Sequence, residues 1–345
     1  MILVTGATGH IGNVLVRELL RDGQRVRALV RPGKPPLALA GLDVEIVPGD
    51  ILEPDSLKAA LHGVSLVYHL AARISLASGP DPQTDRINLV GTRNVLAALA
   101  SFAPGHRSEM PRLVYASSIY ALRKPAGGTP IDETQPFDAE QCLGAYDCSK
   151  ARASLEVEKA AENGLEAVIV CPTAVTGPFD FHGSEAGRAI RLYMQPGLKF
   201  YVEGAYDFVD VRDAARGFIL AAEKGRSGET YILSGDRLTV REVAQTVQEE
   251  MGSWHANLEV PLPLAYWIAD LMPMYSELTG MRPFFTRYSL DAICSNSHIS
   301  HAKATRELGF QPRPARQAVV DAVRWFQEAN APGESMPVSI PKAAV

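Results

Sequence analysis

Cysteine is scarce in this sequence: four residues among 345, namely Cys142, Cys148, Cys171 and Cys294. None belongs to a Cys-x-x-Cys pair, so metal-ligand spacing is absent, and four thiols are few for a disulfide scaffold of this length. All four are expected as reduced, partly buried thiols, and no metal site is expected. Basic runs are also missing and the formal net charge is −5, which leaves no electrostatic footprint for nucleic acid. No stretch reaches the roughly 18 apolar residues of a membrane-spanning helix. The N-terminus has no charged leader or cleavage site and enters a strand at once (Met1-Ile2-Leu3-Val4-Thr5), so no signal peptide is expected. These absences point to a cytoplasmic protein whose partner is a small molecule. Internal repeats are absent too.

What is present is an ordinary globular composition, 46% hydrophobic and 21% charged, on a chain longer than a typical domain of ~100–200 residues. Short apolar runs at residues 2–5, 25–30, 44–47, 65–70, 113–116 and 167–171 read as strands. Helical patterns at 10–21, 55–61, 85–102 and 145–163 alternate with them. Such βαβ alternation with short connections predicts a parallel sheet covered by helices on both faces. After Pro172 the rhythm weakens. A helix at 211–223 and a strand at 230–233 follow. A capping-box signature, Thr239 with Glu242, opens another helix. Ser300 is expected to cap a helix ended by Gly309, and 316–328 reads as a last amphipathic helix. The segment 260–281 is apolar and proline-punctuated, and within it 262–278 reads as a buried helix of the substrate lobe rather than a membrane contact.

Gly6-Ala7-Thr8-Gly9-His10-Ile11-Gly12 lies between the first strand and the first helix. Glycines permit a tight turn and close approach of backbone to a pyrophosphate, which the helix N-terminus then attracts. The spacing Gly6-x-x-Gly9-x-x-Gly12 resembles the extended short-chain dehydrogenase/reductase type, within the NAD-dependent epimerase/dehydratase superfamily. Gly49-Asp50, His69-Leu70-Ala71-Ala72 and Asn88-x-x-Gly91-Thr92 follow in that family's order. The resemblance covers roughly residues 1–330. It implies a Rossmann-type doubly wound sheet over residues 1–172, with 205–235 returning to it. Residues 173–204 and 236–330 then form a smaller, mixed substrate lobe, and 331–345 a flexible tail. It also implies a homodimer.

The resemblance assigns Gly6, Thr8, Gly9, His10, Ile11 and Gly12 to a dinucleotide, with Asp50 and Ile51 at the adenine and Leu70, Ala71 and Ala72 along the cofactor. Pro172, Thr173 and Val175, in Pro172-Thr-Ala-Val-Thr-Gly177, fall beside the nicotinamide. The tip of the second strand bears on cofactor choice. An acid there accepts from the ribose of NAD, whereas a cation favours NADP. The run Val26-Arg27-Ala28-Leu29-Val30-Arg31-Pro32-Gly33-Lys34 holds no acid. Arg31 and Lys34 are assigned to a 2′-phosphate, with Arg27 as an assistant on the same strand face. The expected cofactor is NADP(H), with NAD(H) as the alternative. An ordinary solvated cation beside a turn is the competing reading of Arg31.

Tyr146-Asp147-Cys148-Ser149-Lys150 is Tyr-x-x-x-Lys on a helix, which puts both side chains on one face. A phenol with a pKa near 10 is a poor base, and a neighbouring ammonium lowers that value. Ser117-Ser118 closes the fifth strand. In the resembled family a serine there bonds the substrate oxygen. Ser118 is the candidate and Ser117 the alternative. Asn88 either supports a water relay to Lys150 or is a structural cap. Ser118, Tyr146 and Lys150 thus form the expected catalytic set, with Tyr146 and Lys150 also touching cofactor.

Nucleotide-sugar enzymes of this family carry an arginine where this chain reads Tyr206, in Tyr206-Asp-Phe-Val209. A diphosphate wants a cation there. The later lobe is rich in Phe179, Phe181, Tyr193, Met194, Phe200, Tyr201, Tyr266, Trp267, Met272 and Met274. These suit either an apolar pocket or a core. The overall look is closest to dihydroflavonol-reductase-like and 3β-hydroxysteroid-dehydrogenase-like members, and the ending Arg306-Glu-Leu-Gly-Phe-Gln-Pro-Arg313-Pro314 is similar to that of hopanoid-associated sugar epimerases. The expected activity is an NADP(H)-dependent interconversion of carbonyl and alcohol on a hydrophobic or aromatic small molecule. A sugar epimerase or dehydratase with a recycled NAD(P) is the alternative, and a dinucleotide sensor without catalysis is a third.

Overall fold

A computed structural model describes residues 1–33, 36–75, 79–102, 110–125, 128–253, 256–279 and 286–329. The expected tail 331–345 and Lys34 lie outside them. The first half runs β1 (Ile2–Thr5), α1 (His10–Arg21), β2 (Val26–Val30), β3 (Glu45–Pro48), α2 (Pro54–Leu61), β4 (Leu66–His69), α3 (Pro82–Asp85), α4 (Gly91–Phe102), β5 (Arg112–Ala116), α5 (Ala145–Glu162) and β6 (Ala167–Pro172). Next come β7 (Ala174–Thr176), α6 (Glu185–Met194), β8 (Lys199–Tyr201), β9 (Ala205–Asp210), α7 (Val211–Lys224), β10 (Thr230–Leu233), β11 (Asp236–Thr239) and α8 (Val240–Met251). The chain closes with β12 (Asn257–Glu259), α9 (Leu262–Thr279), α10 (Arg287–Cys294), α11 (Ala302–Leu308) and α12 (Ala315–Ala329).

Seven strands form one sheet in the order β10-β6-β5-β4-β1-β2-β3, every pair parallel. This is the expected Rossmann-type doubly wound α/β sheet. Strand order reverses between β1 and β4, and a crevice opens at the carboxyl ends of strands at such a point. Val14, Leu15 and Leu19 of α1 pack with Phe218 of α7 against Val4, Ala28 and Val168 on one face. Leu57, Val95, Leu99 and Val157 of α2, α4 and α5 cover Leu3, Val67, Leu113 and Ile169 on the other. Burial on both faces explains why these strands read as unbroken apolar runs.

The smaller part holds a three-stranded sheet, β11-β9-β7, and a β12-β8 pair. Of residues 205–235, α7 and β10 join the large layer, whereas β9 lies in the three-stranded sheet. α6, α8 and α12 close a separate core around Ile190, Val247, Val323 and Phe326. Arg313 fastens the C-terminal segment to α7: its Nη2 lies 2.8 Å from Asp213 Oδ1.

Three local expectations differ. The helix expected over 85–102 is broken by one π-helical turn at Arg86–Val90. α11 is capped by the backbone of His301, and Ser300 Oγ accepts from Ala302 N one step earlier, although Gly309 ends the helix at φ 79° as expected. α9 is not a fully buried helix. Ala265 and Ala269 are buried, while Leu264 and Trp267 are exposed, because the apolar residues run all round it and only one side meets the lobe. Among the described residues no helix is long and apolar enough to cross a membrane.

Candidate active site

The glycine turn is held by contacts that leave no room for side chains. Gly6 has φ 73°, and a Cβ there would come 2.6 Å from Ala71 N at the end of β4. A Cβ on Gly12 would stand 2.1 Å from Gly6 O. The strand ends and the first turn of α1 therefore meet backbone to backbone. Gly9 caps α1 without any side-chain hydrogen bond, so the first N–H groups are left for an anion. Thr8, Gly9 and Ile11 belong to this same turn. His10 turns away: its Nε2 lies 2.9 Å from Pro178 O. Asn13 Nδ2 donates to Phe179 O as well as to Gly9 O. These two bonds hold the 178–179 loop against α1. Phe179 is the one non-glycine residue with positive φ (67°) among those described, a strain of order 1–2 kcal/mol. The Arg17 guanidinium stacks 4.8 Å from its ring.

At the sheet edge, Arg31 follows β2, is exposed and makes no ion pair among the described residues. Gly49 N bonds Val30 O, which brings Asp50 beside it. Asp50 Oδ1 accepts from Leu52 N, and Ile51 is buried against Gly91. Arg27 does not assist. Its guanidinium is held by Glu45 and by the carbonyls of Ala60 and His62. Alternation put Arg27 on the right face, but four residues of strand, ~13 Å, separate it from Arg31. Among the described residues of this edge no acid follows β2 and Arg31 is exposed there, which fits the binding of a dinucleotide.

The reactive set gathers at the carboxyl end of β5. Tyr146 and Lys150 lie one turn apart on α5. Lys150 is 2% exposed and its Nζ donates to Ala116 O at 2.6 Å. Burial pulls its ammonium down to about 7. The Ser118 hydroxyl bonds the Tyr146 side chain, whereas Ser117 Oγ lies 2.6 Å from Ser154 Oγ beneath α5. Of the two serines, Ser118 is the one beside Tyr146. The expectation of a lowered tyrosine pKa does not hold in this structure. Burial pushes the Tyr146 phenol up to about 12, and the Ser118 bond offsets only part of that. Lys150 is turned toward Ala116 and supplies no lowering.

The Asn88 side chain is fully hydrogen-bonded within the protein. Its Oδ1 accepts from Arg73 N, while Nδ2 donates to Arg73 O and to Ser149 Oγ. The π-helical turn aims this side chain at α5, a recurrent use of that geometry. Buried His69 bonds Thr5 Oγ1 and Thr92 Oγ1 at 2.7 and 3.0 Å. Thr92 Oγ1 already donates to Asn88 O, so His69 carries its proton on Nε2. Burial and Lys150 push its pKa down to about 3, which keeps it neutral.

Cys142 and Cys148 form a disulfide across the start of α5, with Cα atoms 5.3 Å apart, which corrects the expectation of four reduced thiols. The loop before α5 folds back beside its first turn and brings the pair within bonding range; a six-residue separation carries no such signal. Cys171 and Cys294 are free.

Beyond Ser118 lies a narrow cleft of about 20 Å³. Ile119, Tyr120, Lys124, Thr173, Tyr206, Asp207 and Asn296 are among its lining residues. None of the nine apolar residues named above whose side chains are described lines it. Phe179, Phe181, Tyr193 and Met194 pack with Trp325 and Phe326 in a core, and the side chain of Met274 lies outside those described. Pro172 ends β6, Val175 sits in β7, and Thr173 Oγ1 donates to Leu233 O. Sequence reasoning missed Tyr120, Lys124, Asp207 and Asn296, which three separate stretches bring together. For Tyr120 alone there was a signal, its place two residues after Ser118.

Residues 2–234 match the NAD dependent epimerase/dehydratase family. The chain is 36% identical over 330 residues to sterol demethylase protein B of Methylococcus capsulatus, covering 94% of this chain and 98% of that protein. It is 32% identical to a dihydroflavonol 4-reductase-like protein of Synechocystis sp., covering 94% of each. A 3 beta-hydroxysteroid dehydrogenase/Delta 5→4-isomerase of Mycobacterium tuberculosis is similar at 27%, over 94% of this chain and 90% of its own. Among solved structures, that of gox2253 superposes with a TM-score of 0.80 at 35% identity, covering 96% of this chain and 98% of that one.

Proposed function

The chain belongs to the NAD dependent epimerase/dehydratase family, and from that premise we propose an NADP(H)-dependent reductase or alcohol dehydrogenase acting on a hydrophobic or aromatic small molecule. That it is an NAD(P)-dependent oxidoreductase acting on CH–OH and C=O groups follows from the reductase and dehydrogenase relatives. The observation that supports the finer reading is the Ser118–Tyr146–Lys150 set, in which Ser118 bonds Tyr146 and buried Lys150 bonds Ala116 O, with the cleft beginning one residue after Ser118 at Ile119. When bound, the nicotinamide supplies or accepts the hydride. Ser118 is positioned to polarise the substrate oxygen. Tyr146, whose phenol stays protonated at neutral pH, is placed to donate the proton that a reduced carbonyl needs. In the reverse direction it must first be lowered, and Lys150 is the residue on hand to do so. Arg31, exposed and unpaired among the described residues, supports NADP(H) over NAD(H).

The relatives' names speak of a sterol, a dihydroflavonol and a steroid. Each is a compound of several rings, which supports a largely apolar substrate. The family name favours a second reading, an epimerase or dehydratase that recycles its NAD(P). Against it stands Tyr206, whose hydroxyl lies 3.4 Å from Ser289 O where a diphosphate would want a cation. The deciding assay follows NADPH and NADH consumption by purified protein across a panel of ketones and aldehydes, with Tyr146→Phe as control. Net turnover lost in the variant supports the reductase. Bound dinucleotide with no net consumption supports the epimerase or dehydratase.

A further inference from the structure

The cleft beside Ser118 has one cation and one acid among its described lining residues, Lys124 and Asp207. Several of its other polar groups are committed. Asn296 Nδ2 donates to Thr129 O and its Oδ1 accepts from His298 N. Ser297 Oγ accepts from Arg237, and Ser295 Oγ donates to Ala292 O. Asp207 Oδ1 accepts from Gly235 N. Lys124 differs from all of them. Its Nζ is buried, has no hydrogen-bond partner and forms no ion pair among the described residues.

Its surroundings give a reason for a cation without satisfying it. The Nζ lies 5.3 Å from the centre of the Tyr120 ring. Asp147 and Asp291 are the nearby acids; each has one oxygen on a tyrosine, the other oxygen of Asp147 is unpartnered, and neither acid forms an ion pair with Lys124 among the described residues. Tyr288 OH donates to Asp147 Oδ1 at 2.6 Å, and Tyr266 OH to Asp291 Oδ1 at 2.6 Å. Burial lowers the Lys124 pKa while the two acids oppose the drop. A buried ammonium with no partner costs several kcal/mol, and an anion brought to it recovers that cost. Tyr120, two residues after Ser118, lines the cleft and carries Lys124 over its ring.

We propose that Lys124 docks a carboxylate carried by the substrate, so that the protein acts on oxo acids or hydroxy acids with a largely apolar skeleton. A phosphate or diphosphate would bring more negative charge than one lysine matches, and the described lining offers no arginine. The proposal rests on reading the site as a carbonyl–alcohol oxidoreductase.

The test compares oxoalkanoates, varied in the spacing between ketone and carboxylate, with their methyl esters. Both are assayed as substrates with NADPH and as ligands of the dinucleotide-loaded protein by calorimetry. Wild type is expected to favour acid over ester in kcat/KM. Lys124→Met should cut that ratio at least ~10-fold, the loss of one charge-assisted hydrogen bond, and Lys124→Arg should keep most of it. Melting temperature and NADPH affinity report whether the Met variant is folded, and Lys124→Gln replaces it if not. An unchanged ratio in a folded variant overturns the proposal, as does a wild type that prefers the ester. If wild type turns over neither compound, the oxidoreductase reading fails. Calorimetry then decides on its own: acid binding lost in Lys124→Met sustains the docking role, and no acid binding by wild type ends it.

Discussion

In the parallel layer β1 buries all four of its residues and β6 all six. In the lobe, β8 and β12 expose Phe200 and Leu258 side by side in register, and α9 exposes Trp267. The first kind of strand is wedged between two helical layers, so its end is held to within a fraction of an ångström by packing. The second is covered on one side only. The chemistry sits where the first kind ends: Gly6 after β1, Ala71 after β4, Ser118 after β5, Thr173 after β6. On the proposed reading, choice of substrate sits where loops of the first kind meet the second, in the cleft of Tyr120, Lys124, Tyr206 and Asn296. Reaction type and specificity would then be carried by parts built to different tolerances.

Two substitutions in the rigid part should have the largest effects. Tyr146→Phe removes one hydroxyl without changing the packing of α5. It should lower kcat/KM by ~10³-fold, within the range for a positioned acid or base, with the melting temperature nearly unchanged. A variant that retains a tenth of the activity would move the proton role elsewhere. Gly12→Ala comes next. The added Cβ would meet Gly6 O, a backbone atom that cannot swing aside. Dinucleotide affinity, read by fluorescence titration, should drop by ~100-fold through displacement of the turn. Tight binding by this variant would show that the turn yields, against the rigidity argued above.

The same division explains what could be read from the sequence. The glycine turn, the Tyr146–Lys150 pair and Ser118 are local patterns. Spacing of three or four residues places them, and a buried strand before each fixes their direction. The sheet was legible because parallel strands buried on both faces are runs of Val, Ile and Leu. The lobe was not. β8, β9 and β11 are short or half exposed, and neither hydrophobic alternation nor helical period survives in them. Lys124 reads as one more polar residue in a loop until residues 205–207 and 292–299 are folded against it. Arg27 failed for a related reason: alternation gives a face, not a height along the strand. The aromatics after Pro172 suit a pocket or a core, and Phe179, Phe181 and Tyr193 belong to a core, closed by Trp325 and Phe326 from α12.

Arg31 lies between the two regimes, on a rigid strand end yet exposed. Arg31→Glu replaces the cation with an acid at the ribose end of β2. The ratio of NADPH to NADH efficiency should shift by ~10–100-fold toward NADH, as one charge-assisted pair is lost and a repulsion gained. Kinetics with both cofactors over a range of ionic strength read this directly. A ratio that does not move assigns Arg31 to solvent, and the preference must then lie with other residues of that edge.

The smallest effect expected tests whether the junction between layer and lobe is a strained one. Asp147 follows Tyr146, is 1% exposed, and has one oxygen on Tyr288 of α10 and the other unpartnered. Burial pushes its carboxyl up to about 6, against the Tyr288 bond and the Lys124 charge, which pull it down. A raised folded value means that the folded state holds a proton the unfolded chain has released above ~4. The stability this contributes is complete below the unfolded value and is lost as pH rises through about 6. Asp147→Asn cannot ionise and keeps an acceptor for Tyr288. Its melting temperature should match that of wild type near pH 4. It should rise above wild type between pH 4 and pH 6 and stay ahead by ~2–4 °C at neutral pH, the equivalent of roughly 1 kcal/mol in a protein of this size. A gap that is the same at every pH would mean that the carboxylate is already satisfied, and that the lobe closes over the catalytic helix without electrostatic cost.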